Sequence, residues 1–157
     1  MPTPNATAAD AQLILQLYDL RREAEMRKAR KYCDNEFWPE NYQEFHAILM
    51  AWDTQEHTWL HQVLAYWDMA ASLVLRGALN PDLFADNSHQ MYFLYAKLKP
   101  FLQPARKEME APEYLANISK LVESTAESRE RLRRCEAMVA KWGPEVRAKL
   151  KSSRRAA

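Results

Sequence analysis

The sequence predicts an all-α protein, and three observations carry that prediction. Ala and Leu occur 23 and 18 times, whereas Val and Ile occur 5 and 3 times, and strands favour β-branched residues. Only two glycines are present, Gly77 and Gly143, which starves the chain of the φ > 0 turns that tight hairpins need. Capping residues and prolines stand at the joints between stretches of helical apolar spacing. A length of 157 residues suits one domain over residues 1–157 with a core of its own. The expected architecture is a bundle of four main helices, mostly antiparallel, with one or two short helices and a long C-terminal helix.

Residues 1–9 read as a small, polar, frayed tail. Asp10 is placed to cap a long first helix to about Glu36, with Leu13, Ile14, Leu17, Met26, Ala29 and Cys33 along its stripes. Its charged middle, residues 21–31, reads as a solvated face with pairs such as Glu23 and Arg27. Trp38-Pro39 breaks the chain, and Pro39 fits the first turn of a second helix, about 40–52. Asp53-Thr54-Gln55-Glu56 resembles a capping box opening a third, 54–76. Helices two and three are either separate or one bent helix. Gly77 closes the third as a left-handed residue. Asn80-Pro81-Asp82 starts a short helix over about 81–86. Asn87-Ser88-His89-Gln90 opens the next, which Pro100 and Pro104 should kink or shorten. After Pro112 a last helix of about 30 residues runs in near-heptad spacing from Tyr114 to Trp142. Gly143-Pro144 should interrupt it, leaving a basic end over 144–157.

Many functions are excluded. Two glycines cannot build a Gly-rich phosphate loop, and the GxSxG, SxxK, HExxH and CxxC motifs are absent. No catalytic residue stands out and no cofactor is implied. Cys33 and Cys135 read as free thiols of a cytoplasmic protein. Neither a signal peptide nor a membrane span is expected.

Three sets of residues remain as candidates. His57 and His61 lie one helical turn apart, so both imidazoles face one side and could hold one metal, with Asp53 a turn earlier. Asp53 reads better as a helix cap, and two histidines beside a core need no metal. The aromatic set Trp52, Trp59, Tyr66 and Trp67 reads mainly as core, with one or two members left for an interface. Trp59, Val63, Trp67, Ala70 and Val74 should form the centre, facing Leu17, Leu94, Leu98 and Leu121. Charge is divided unevenly: residues 1–128 carry 12 basic and 18 acidic groups, residues 129–157 carry 10 and 3. Arg129, Arg133, Arg134 and Lys141 are therefore candidates for nucleic-acid phosphates, or the basic end docks on the acidic body or on a second copy.

The segment Leu75-Arg76-Gly77-Ala78-Leu79-Asn80-Pro81-Asp82-Leu83-Phe84, followed by Met91-Tyr92-Phe93-Leu94-Tyr95 and Leu98-Lys99-Pro100-Phe101, resembles the centre of an uncharacterised bacterial family of small all-helical domains. The resemblance covers about residues 12–110. It implies the fold and brings no activity with it. The function expected from these readings is a non-enzymatic protein-interaction or scaffold module, with a homodimer through the last helix as one form of it. The alternatives are a metal enzyme using His57 and His61, and a nucleic-acid-associated protein using the basic C-terminus.

Overall fold

A computed structural model describes residues 4–157 as eight α-helices, with no strand among the described residues. The first expected helix is two, α1 (Ala8–Arg22) and α2 (Ala24–Asn35). Thr7, not Asp10, caps α1: its hydroxyl accepts from the Asp10 amide at 3.2 Å, and the Asp10 carboxylate accepts from the Thr7 amide at 2.7 Å. This reciprocal box and a bond from Asn80 Nδ2 to the Pro4 carbonyl, 2.7 Å, tie down part of the segment expected to fray. Residues 1–3 of that tail lie outside the described residues. The break between α1 and α2 falls at Glu23 (φ −55°, ψ 142°), whose carboxylate accepts from the Met26 amide at 3.0 Å and so caps α2. Glu23 thus serves the backbone instead of pairing with Arg27 along a continuous helix.

Helices two and three are separate: α3 (Tyr42–Leu49), capped by Asn41, and α4 (Gln55–Leu75), capped by Thr54. Asp53 is not the cap; Thr54 Oγ1 accepts from the His57 amide at 3.3 Å. At the far end of α4, Gly77 (φ 74°) sits in the left-handed region. The Gly77 and Ala78 amides bond back to the Val74 and Leu73 carbonyls, 3.0 and 2.9 Å, which is the Schellman arrangement. Next, α5 (Pro81–Asp86) starts with Pro81 at its first turn and the Asn80 side chain as cap.

Helix α6 (His89–Glu108) runs through both Pro100 and Pro104. Each proline removes one i→i−4 bond, and because the two are four residues apart the losses fall on successive turns of one helix edge. Helix α6 ends as α4 does, with left-handed Glu110 (φ 53°) and amides of Glu110 and Ala111 bonded to Lys107 and Arg106 carbonyls. The last expected helix is also two: α7 (Ala116–Glu123) and α8 (Ala126–Ala156). They part because Thr125 caps α8 through the Ser128 amide, 3.0 Å. Gly143-Pro144 does not interrupt α8. Gly143 is buried, and a Cβ there would meet the Arg147 guanidinium at 2.7 Å, so glycine makes room for that side chain.

One core cluster draws on every helix from α1 to α8. Val63, Trp67, Ala70 and Val74 of α4 are buried in it with Leu17, Leu94, Leu98 and Leu121. Trp59 is not at the centre; it is half-buried at the margin, against Tyr32. Polar ties fix the helices to one another. The Asp68 carboxylate of α4 accepts from the Asn117 and Ile118 amides, each at 3.1 Å, and from Asn117 Nδ2 at 2.8 Å. It thereby caps α7 from another helix. Ser128 bonds to Tyr92 Oη at 2.7 Å and to the Leu121 carbonyl at 3.1 Å, joining α6, α7 and α8.

Candidate functional site

The first turns of α4 build a column of rings. The Thr54 cap starts the helix so that His57 points inward, only 6% exposed, rather than resting half in water. His57 Nδ1 lies 3.3 Å from the Ile48 carbonyl and His61 Nδ1 lies 3.1 Å from the His57 carbonyl. A carbonyl only accepts, so each Nδ1 carries the proton and each Nε2 is left as the basic nitrogen. The imidazoles stack 4.0 Å apart at 29°. Trp52, on the α3–α4 connection and 70% exposed, covers His57 at 4.9 Å, and Tyr114 approaches His61 at 6.4 Å. Burial, more than any neighbouring charge, holds the His61 pKa below its usual value.

Stacking decides what this pair can do. A metal bound by histidine lies in the ring plane, about 2.0–2.1 Å from nitrogen. Two nearly parallel rings 4.0 Å apart share no such point, so chelation requires rotating a ring and giving up a backbone contact. Asp53 is exposed. Among the described residues no group of three or more His, Cys, Asp or Glu side chains is disposed to hold a metal ion.

Two polar clusters escaped the reading of the sequence. Tyr42 and His46, one turn apart on α3, both reach Glu108 at the end of α6, at 2.5 and 2.8 Å. Nothing local announces a pairing across more than sixty residues. The second is Lys97 of α6, 4% exposed, which donates to the Cys33 carbonyl near the end of α2. Its ammonium lies 4.5 Å from the Trp38 ring centre, 5.0 Å from Phe93 and 5.7 Å from Phe37. Desolvation lowers the Lys97 pKa to about 8, against the opposing pull of Cys33 and Asp34. Burial pushes the adjacent Cys33 thiol up to about 12, which removes it as a thiolate nucleophile.

The basic residues of α8 are dispersed and several are already engaged. Arg129 donates to the Glu123 carbonyl at 2.6 Å, Arg133 pairs with Glu130 at 2.6 Å, and Arg131 bridges Asp86 and Glu127. Arg134 and Lys141 have no hydrogen-bond or ion-pair partner among the described residues. The end of the helix lies against the acidic body, where Lys151 meets Glu40 at 2.9 Å. Between them runs a groove of about 490 Å³, with Tyr32, Trp38 and Ile48 toward the body, Leu150 on α8, and opposed charges at Glu36, Glu44 and Glu56 against Arg147, Lys151 and Arg154.

A family model described as Domain of unknown function (DUF4760) matches residues 6–125. The chain belongs to that family. No curated protein and no solved structure matches it. The DUF4760 match takes in α1 to α7 and the histidine column, and ends one residue before α8 begins. The DUF4760 region therefore includes Lys97 and the α4–α5 corner, whereas the basic helix lies beyond it. Among the described residues no helix is long and apolar enough to cross a membrane.

Proposed function

We propose that the protein is a non-enzymatic interaction module of one domain that pairs with a second copy of itself through α8. The observation that carries this reading is the poor covering of the second half of that helix. Leu132 and Cys135 are buried, but from Met138 onward the apolar stripe of Met138, Val139, Trp142, Val146 and Leu150 is half-buried or exposed, with Trp142 at 46%. Exposed aromatic and apolar side chains flanked by charge mark interfaces. A second copy is the occupant favoured by charge, because the basic helix and the acidic body complement each other. The Lys151–Glu40 pair is an intramolecular example of that contact. A cytoplasmic location fits the two free, buried thiols.

Light scattering of the full chain, of Trp142→Glu and of a chain ending at Ala140 tests the reading. The full chain is expected at twice its monomer mass of 18.4 kDa, and both variants at monomer mass with helical circular dichroism retained. A full chain that stays monomeric at millimolar-range salt and tens of micromolar protein overturns it.

A further inference from the structure

A second surface, on the side of the molecule where α1, α2, α4 and α6 meet, holds two arginines, Arg21 and Arg30, neither of which forms an ion pair among the described residues. Arg21 at the end of α1 is half-buried, its guanidinium 5.3 Å from the Trp67 ring centre and 5.5 Å from that of Tyr18. Its Nη1 donates to the Asn87 carbonyl at 3.2 Å, while its Nε is buried with no hydrogen-bond partner. Arg30 of α2 is joined to the same tryptophan through Gln90. Its Nε donates to Gln90 Oε1 at 2.8 Å, the oxygen that also accepts from Trp67 Nε1 at 3.3 Å. The nearby acid, Asp34, accepts from Gln90 Nε2 with both oxygens, 2.8 and 2.9 Å. Neither arginine has a carboxylate within ion-pair distance among the described residues. Burial lowers the Arg21 pKa, and the like charge of Arg30 adds to that lowering.

Half-buried like charges are costly when nothing pairs with them. For Arg21 the cost is offset by packing on Tyr18 and Trp67, with its Nε buried and unpartnered. Nη2 of Arg21 and both terminal nitrogens of Arg30 have no acceptor among the described residues. Planar guanidiniums match oxyanions in a bidentate fork. We propose that Arg21 and Arg30 bind a phosphate group between them, beside the exposed ring of Tyr18. The phosphate either arrives as the free anion or belongs to an ester whose organic part lies on that ring.

The test is calorimetric titration and thermal melting of the full-length chain with inorganic phosphate, against sodium chloride at equal ionic strength. Phosphate is expected to bind saturably and raise Tm where chloride does not. The double variant Arg21→Gln/Arg30→Gln should bind at least about tenfold more weakly, given the usual worth of hydrogen bonds to charged groups. Lys120→Gln, exposed on α7, should bind as the native chain does. Phenyl phosphate binding more tightly than phosphate identifies an ester as the ligand; equal binding identifies the free anion. Arg30→Gln alone, which leaves the packing of Arg21 on Trp67 in place, replaces the double variant should that not fold. No saturable response to phosphate, or an equal response when Arg30 is lost, overturns the site.

Discussion

Lys97 shows how one residue gathers opposing effects. Its ammonium is out of water and has one carbonyl partner, but three ring faces surround it, and such faces favour the cation. Desolvation outweighs them, since the pKa falls from 10.5 to about 8. A depressed pKa means that the unfolded chain binds the proton more tightly. Stability attributable to Lys97 therefore rises as pH climbs from about 8 to 10.5, by about 1.4 kcal/mol per pH unit within that window. Urea unfolding at pH 8, 9 and 10 should show the native chain gaining on Lys97→Met; parallel curves would remove this account. Little of this was legible in the sequence. Lys97 stands among apolar neighbours in Tyr95-Ala96-Lys97-Leu98, but its cage comes from Phe37 and Trp38, sixty residues away. The burial of His57 has no local signature either. It depends on Ile48, near the end of α3, and on Trp52, on the connection that follows.

Helix ends account for most differences between the expected elements and those observed. Two ends marked by glycine or proline were readable, since Arg76-Gly77 and Asn80-Pro81 fall where expected. By contrast, Pro39 lies ahead of α3, which Asn41 caps, and α7 starts only at Ala116, beyond Pro112. Ends made by ordinary residues were not readable. Glu23 is hidden in a charged run, and Glu110 is a left-handed residue where glycine is the usual choice. A side chain there costs roughly 1–2 kcal/mol, so Glu110→Gly should raise the unfolding free energy by about 1 kcal/mol. Chemical denaturation would show this as a higher midpoint at unchanged slope. Start signals can also come from a different helix. Leu115, at the cap position of α7, is left-handed and gives no side-chain hydrogen bond. Asp68 supplies the acceptors instead, through three bonds. Asp68→Ala should lower stability by about 1–3 kcal/mol, the range for a lost cap that leaves buried donors unpaired. A midpoint within error of the native chain would mean that water serves α7 as well. The converse misreading, at Gly143-Pro144, treated a local defect as a terminus. A 31-residue helix absorbs one missing bond because its neighbours on both sides remain paired.

At the scale of the whole molecule, fold class and the centre of the core were legible, because apolar spacing reports which face is buried. Which helix covers which face was not legible. That depends on contacts such as Asp68 to α7 and Tyr92 to Ser128, which have no local signature. The division of charge was visible in the sequence, and its role in the proposed pairing is electrostatic, so the dimer mass should fall toward the monomer as salt rises. A different use follows from where the five tryptophans lie. Trp67 is 1% exposed under Arg21, Trp38 is 7% exposed and covers Lys97, Trp59 sits at the core margin, Trp52 is 70% exposed on two imidazoles, and Trp142 is 46% exposed on α8. Indole emission shifts to the blue as water is excluded and is quenched by a neighbouring imidazolium. The molecule thus carries its own optical probes. Trp142 reports whatever covers the last helix, Trp67 the arginine pair, and Trp52 the protonation of the histidine column. Replacing the other four by phenylalanine leaves a single-wavelength reading of each place, without any added label.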